Sequence, residues 1–330
     1  MNKIDIDLLK RLSMAFGPSG SEDKIRNIIK EEIKGYVDEI NIDTLGNLIA
    51  IKKGDGKKIM IASHMDEIGI MVTNIDEKGF LRFTNIGGVS AFSSLYQRVM
   101  FVDGTIGILS MENLDNMKEL KLDKMFIDIG AKTKEEAMAK VKVGDVACFY
   151  TPFVESGDNI ISKAMDDRVG CYIAIESLKR LKDCSNEVYF VFTVQEEVGL
   201  RGAKTAAYAL DPDYGIAIDV TMTGDTPKAK TMDITMGEGV AIKVKDSSIL
   251  AHPTVKNTMV NMAKKYDIPY QLEVLEAGGT DSGAIHLSRS GVPSGVISIP
   301  CRYVHSPSEM VSKKDLVNAI TLLVKTVEEM

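Results

Sequence analysis

The chain has 330 residues, 45% of them hydrophobic and 26% charged, which is enough apolar material for a large core and, at roughly 150 residues per domain, for about two domains. A net charge of −7 gives no reason to expect nucleic acid or an anionic membrane as a partner. No run of about 20 apolar residues occurs, the N-terminus does not read as a signal peptide, and the four cysteines form no C-x-x-C pair, so reduced core thiols and a cytoplasmic location are expected.

In chain order, Ile25, Ile28, Ile29 and Ile33 mark an amphipathic helix after the polar turn "GPSGSED". Strands are expected at "NLIAIKK" and "KIMIAS". From about Ile70 to Ile160 the texture changes to short alternating runs such as "GIMVTNI-DEKG-FLRFTNI" and "QRVMFV-DG-TIGILS". The Asp103-Gly104 pair between apolar runs is a hairpin signal. One short helix, "TKEEAMAKV", opens with a Thr133/Glu136 capping box. Alternating helix and strand follow: "DDRVGCYIAIESLKRL" as helix, "EVYFVFTV", "GIAIDV" and "VAIKVK" as strands, "PTVKNTMVNMAKKY" as helix, "SGVISIP" as strand. A last helix opens at Ser312, with Asp315 completing a second capping box. This pattern predicts an α/β sheet covered by helices, made of residues 1–69 and 161–330, with a β-rich domain of residues 70–160 inserted into it.

His64 stands where "KIMIAS" runs out, with Asp66 two residues on, able to orient the imidazole. Glu196 and Glu197 end a strand, Asp219 ends "YGIAID", His305 follows "SGVISIP", and Asp166 and Asp167 precede a helix. Singly, each is more often structural or solvated. Together, if the strands are parallel neighbours, they converge in the crevice beyond the strands' carboxyl ends, where open α/β sheets bind ligands. With Asp166, Glu197 and Asp219 as anionic ligands and His64 and His305 as neutral ones, two divalent ions leave about one positive charge, which a hydroxide offsets; this suits a two-metal hydrolase. Imidazole and carboxylate without thiolate suit zinc, cobalt or manganese. Glu196 is left as the base.

The motifs "ASHMDEIGIMV", "KAMDDRVG", "VQEEVGLRGA", "AIDVT", "GGTDSGAIH" and "GVISIPCRYVHSP", in this order from Ala62 to Pro307, resemble those of the TET aminopeptidases, the tetrahedral dinuclear-metal family of the zinc-exopeptidase superfamily. The resemblance implies a zinc-exopeptidase-like α/β domain with an inserted β-barrel-like, PDZ-resembling dimerisation domain. It implies that Asp166 bridges two divalent ions, zinc or cobalt, with Glu197 and His305 completing one site and His64 and Asp219 the other. Glu196 is then the general base and Asp66 supports His64. It further implies release of N-terminal residues from short peptides by attack of a hydroxide held by the two metals, and dimers assembled into a tetrahedral dodecamer. Competing readings are an endoglucanase, which the absence of Trp and the 6% aromatic content disfavour, and a non-catalytic peptide-binding assembly. Asp167 is expected to shape the turn after Asp166. Thr280 and Asp281 read equally as a helix cap or a substrate contact. Arg302 and Tyr303 are expected to line the cleft, His252 and His286 to be structural, and the Cys301 thiol to have no base.

Overall fold

The computed structural model describes residues 4–182 and 184–330. Strands β1 (Glu39–Ile42), β2 (Leu48–Lys52) and β3 (Lys58–His64) begin the large sheet. The chain then leaves for β4 (Gly69–Ile75), β5 (Leu81–Ile86), β6 (Arg98–Phe101), β7 (Ile106–Met111), β8 (Met125–Asp128) and β9 (Val146–Phe149), which close into a barrel in the order β4-β5-β8-β7-β6-β9. It returns through β10 (Val154–Ser156), β11 (Asn159–Ser162), β12 (Glu187–Thr193), β13 (Tyr214–Thr221), β14 (Val240–Lys245), β15 (Tyr270–Val274), β16 (Ser294–Arg302) and β17 (Glu309–Ser312). The large sheet has 11 strands, with β14 and β15 branching beside β16.

Four neighbours at its centre, β12, β3, β13 and β16, are parallel. Each strand is buried on both faces, so its residues alternate between two cores rather than between core and water. Ile59, Ile61, Phe190 and Phe192 join the larger core, packed with the helices Ile6–Met14, Asp23–Ile33, Met165–Arg180, Pro253–Lys265 and Lys313–Glu329. Met60, Ala62, Tyr189 and Val191 face the helices Arg201–Leu210 and Asp281–Ile285, whose alanines allow close approach. The expected sheet covered by helices is therefore present.

The barrel has its own core, including Val72, Leu81, Phe83, Val99, Leu109 and Ile127. The Asp103-Gly104 hairpin forms: Met100 pairs with Ile106, and the Asp103 carboxylate accepts from the Thr105 N–H at 2.9 Å. Thr133 caps its helix by accepting from the Glu136 N–H at 3.3 Å, while the Glu136 carboxylate accepts from Lys132 N at 2.9 Å, one residue before the expected partner. The second expected box does not form. Ser312 Oγ accepts from Lys314 N at 3.3 Å, but the Asp315 carboxylate turns inward and accepts from Gly237 N at 2.7 Å and Gly239 N at 3.0 Å. A loop of that kind has orphan amides that a buried carboxylate satisfies better than a helix end open to water.

Candidate metal centre and active-site cavity

The parallel register places the site residues together. His64 ends β3 opposite Thr193, the last residue of β12. Beyond β12 the chain turns at Gln195, whose φ of 56° lies in the left-handed region, and delivers Glu196 and Glu197. Asp219 lies near the end of β13, two residues short of Thr221. Asp166 stands at the start of the helix Met165–Arg180, where the backbone is not yet helical (φ −74°, ψ 107°). His305 follows β16 with φ 60°.

Asp166 is the hub. Its Oδ1 is 3.0 Å from His64 Nε2 and its Oδ2 is 3.1 Å from His305 Nε2. On one side, His64 Nε2 lies 3.9 Å from Asp219 Oδ1 and 3.8 Å from Glu196 Oε2. On the other, His305 Nε2 lies 3.2 Å from Glu197 Oε2. All six residues line one cavity of about 530 Å³, with Leu200, Met222, Leu275 and Val304 as its larger apolar contributors.

The donor set fits a metal centre. His64, Asp166 and Glu197 each offer a ligand atom within 4.8 Å of the others, as do His64, Asp167 and Asp219. Glu197 Oε1 is buried with no hydrogen-bond partner, which a cation would supply. Asp167 is the less available of the paired aspartates. Its Oδ2 accepts from His64 N at 3.2 Å and its Oδ1 from Gly170 N at 3.0 Å, and it does not line the cavity.

Electrostatics point the same way. Burial raises Glu196 well above the carboxylate range, with Asp219, Asp281 and Glu197 adding to it against His64. Burial likewise raises Asp219 and Glu197, each reinforced by Asp166. Burial opposes charging of both imidazoles but loses to the carboxylates: His64 is held well above its ordinary value, chiefly by Glu196 and Asp166, and His305 is pushed up to about 12 by Asp166 and Glu197. The two histidines in turn overcome burial at Asp166 and hold it below the usual carboxylate range. A site that crowds carboxylates and holds protons on its imidazoles is one in which a divalent cation offsets the repulsion.

Support comes from residues behind the cavity. His64 Nδ1 lies 3.1 Å from the Asp66 carbonyl oxygen, so Nδ1–H donates to the main chain and Nε2 faces the cavity. The Asp66 carboxylate is farther from that nitrogen, at 3.6 Å. It is occupied elsewhere: Oδ1 accepts from Glu196 N at 2.9 Å, and Oδ2 accepts from Glu197 N at 3.1 Å and from Ser19 Oγ at 2.6 Å. Asp66 thus organises the Glu196–Glu197 turn as much as it orients His64. The barrel also reaches the site. A Cβ on Gly87 (φ 71°) would lie 3.0 Å from Glu197 Oε2, and one on Gly88 would overlap the His305 ring.

Asp281 is not a helix cap; its Oδ2 accepts from Thr193 Oγ1 at 2.5 Å, and Thr280 makes no side-chain cap bond. Arg302 pairs with Asp225 at 2.7 Å, and neither it nor the exposed Tyr303 lines the cavity. His252 caps a helix by accepting from Thr254 N, and His286 Nδ1 meets the Ser282 carbonyl. Burial raises the Cys301 thiol well above its ordinary value. Two features had no sequence signal. Lys243 lines the cavity yet is 1% exposed, with its Nζ 2.7 Å from Glu273 Oε1 and 3.3 Å from Asp246 Oδ2. Glu309 is buried beside Asp166 and His305.

A parallel α/β sheet that brings two imidazoles and four carboxylates to one cavity defines a protein of the metallohydrolase class. The chain belongs to the M42 glutamyl aminopeptidase family, whose model matches residues 46–322. It is 58% identical to a putative aminopeptidase of Acetivibrio thermocellus over 97% of this chain and 98% of that one. The aminopeptidase APDkam598 from the archaeon Desulfurococcus kamchatkensis superposes with a TM-score of 0.95 at 43% identity, covering 98% of this chain and 94% of that one. The Pyrococcus horikoshii TET1 peptidase, described as able to assemble into a tetrahedron or a large octahedral shell, superposes with a TM-score of 0.89 at 33% identity over 98% and 99% of the two chains. The chain is accordingly a hydrolase acting on peptide bonds, of the aminopeptidase class. No helix among the described residues is long and apolar enough to cross a membrane.

Proposed function

We propose that the chain releases N-terminal amino acids from short peptides, with Asp166, Glu197 and His305 holding one divalent ion and Asp166, His64 and Asp219 a second. The observation that carries this reading is Asp166, whose two oxygens each face a different histidine at 3.0 and 3.1 Å. Zinc or cobalt suits the imidazole and carboxylate donors. When bound, the ions supply Lewis acidity toward a carbonyl and make water acidic enough to lose a proton near neutral pH.

The chain's own residues do the rest. Glu196 Oε2, whose carboxyl is raised above its ordinary value chiefly by burial, takes the proton of the attacking water and passes it to the leaving amine. Asp66 fixes that glutamate through its main-chain N–H. Leu200, Met222, Leu275 and Val304 exclude water from the substrate and bury an apolar part of it. An endoglucanase would use a carboxylic acid and carboxylate flanking the scissile bond; here the carboxylates are interleaved with two imidazoles, which favours the metal reading.

The same proposal takes residues 1–69 and 161–330 as the catalytic unit and 70–160 as a dimerisation insert. The closed barrel, whose strands run from Gly69 to Phe149, supports that division. Phe92 and Tyr96, 66% and 64% exposed on the insert, are large apolar groups that a partner chain would cover. By likeness to the horikoshii peptidase, dimers would assemble into a tetrahedral dodecamer, in the cytoplasm. A panel of free and N-blocked peptides, with carboxymethylcellulose alongside and several added metals, tests the activity. Cleavage of free peptides alone is expected. Equal cleavage of blocked peptides, or activity on the cellulose only, would overturn it.

A further inference from the structure

Three buried carboxylates surround the site without lining its cavity, and each accepts from main-chain N–H groups. Asp66 takes those of Glu196 and Glu197, and Asp167 takes those of His64 and Gly170. The third is Glu309, the first residue of β17, which is 2% exposed. Its Oε2 accepts from Asp166 N at 3.0 Å and its Oε1 from His305 N at 2.8 Å. One carboxylate therefore ties together two site residues from separate parts of the chain.

Both tethered residues sit where regular structure does not fix them. Asp166 has non-helical torsions at the start of its helix, and His305 has a left-handed φ in a loop. Their N–H groups point to Glu309 instead of into a helix or strand ladder. A carboxylate with two acceptor oxygens satisfies both donors, and an amide cannot, because its NH₂ would face one of them.

We infer that Glu309 is a positioning residue for the reaction, holding Asp166 and His305 at the spacing that one ion of the pair requires. The inference rests on the metallopeptidase reading of the site. It is asymmetric: Glu309 touches Asp166 and His305, whereas His64 is held through Asp66 and Asp167, and Asp219 is fixed in β13. Loosening Glu309 frees His305, a ligand of one ion only, together with Asp166, which both ions share, so the ion on the His305 side should weaken more than the one on the His64 side.

A comparison exists within the chain. Asp315 is also buried and also accepts from two main-chain N–H groups, those of Gly237 and Gly239, but neither residue lines the cavity. Asp315→Asn is thus a control for the loss of a buried two-amide tether away from the site.

The test is calorimetric titration of the chelator-stripped full chain with zinc ions, alongside thermal unfolding, for wild type, Glu309→Gln, Glu309→Asp and Asp315→Asn. In Glu309→Gln the affinity for one zinc ion should fall by about 10–100-fold, the scale on which partners of metal ligands act, and that for the other by at least about threefold less. Glu309→Asp, which keeps the charge but is shorter, should fall between Gln and wild type. Asp315→Asn should lower the unfolding temperature and leave both zinc affinities unchanged. Equal weakening of both ions in Glu309→Gln, or unchanged affinities with only a lowered unfolding temperature, overturns the inference. So does failure of both Glu309 variants to fold, which would make the residue a folding element. Two-site zinc binding by wild type with either of those results sinks the inference alone; no zinc binding by wild type sinks the metal reading and the inference together.

Discussion

Asp66→Asn separates a positioning role from a merely stabilising one. The wild-type carboxylate accepts three hydrogen bonds, from Glu196 N, Glu197 N and Ser19 Oγ. Asparagine has one acceptor oxygen. Placed at Oδ2, it keeps the bonds from Glu197 and Ser19 and turns its NH₂ toward the Glu196 N–H. One charge-assisted bond is lost and two donors face each other, at a cost of about 1.5–3 kcal/mol. Unfolding entropy of roughly 2.1 cal/mol/K per residue makes that cost worth only about 2–4 °C in a chain of this length. The larger effect should fall on catalysis, because Glu196 is displaced from the water whose proton it takes. A misplacement of about 1 Å is worth on the order of 100-fold, so kcat for an amino-acid anilide should drop by about 10–100-fold with KM little changed. Ser19→Ala, which removes one donor and adds no conflict, should leave kcat within about threefold and cost about 1 kcal/mol. Stopped-time assays and thermal unfolding on the three proteins decide it. If Asp66→Asn lowers the unfolding temperature and retains kcat, the Asp66 tether has no part in positioning Glu196.

Glu196→Gln should keep its metal and lose about 10²–10⁴-fold in turnover, the range for a missing general base, whereas Glu197→Gln should lose metal affinity and regain activity at high metal; metal analysis and turnover at low and high metal would expose reversed roles. Chelation should lower the unfolding temperature more at about pH 8 than at about pH 5.5. The sign follows from Glu196, Glu197, Asp219, His64 and His305, all held above their ordinary values, so that the stripped folded chain keeps protons the unfolded chain has released and loses stability as pH rises through that window. A stripped protein whose unfolding temperature climbs with pH over that range would contradict it. Lys243→Met should destabilise the fold by about 3–5 kcal/mol, because Glu273 and Asp246 lose their buried cation, and Lys243→Met with Glu273→Gln should recover part of the loss; denaturant unfolding reads both, and a single variant as stable as wild type would refute the pairing.

The site residues that were legible in the sequence are those whose chemistry is carried by a side chain at a strand end. His64, Glu196, Glu197, Asp219 and His305 announce themselves because polar groups interrupt β-branched runs, and the parallel order of β12, β3, β13 and β16 then gathers them. Glu309 and Asp315 work through main-chain amides of distant residues, and an amide leaves no mark in a sequence. Lys243 and Glu273 are 30 residues apart on paired strands, so neither reads as half of an ion pair until β14 and β15 are aligned. The barrel was legible where turn chemistry is specific, at Asp103-Gly104. β8 and β9 were not, since each has only four residues and too few alternations to set a period.

The contact of Gly87 and Gly88 with Glu197 and His305 bears on how freely parts of this enzyme can be exchanged. A closed barrel with its own core, joined to its host at two points, invites splicing, and a chimera carrying a foreign barrel could fold well. Folding would not be enough for activity. The incoming barrel would have to present a corner bare of side chains at the place where the imidazole lies, because even an alanine at position 88 meets the ring. Compatibility between barrel and catalytic unit is therefore set at a two-glycine corner, and a screen of chimeras sorted by that corner should separate active from inactive recombinants better than one sorted by overall likeness of the barrels.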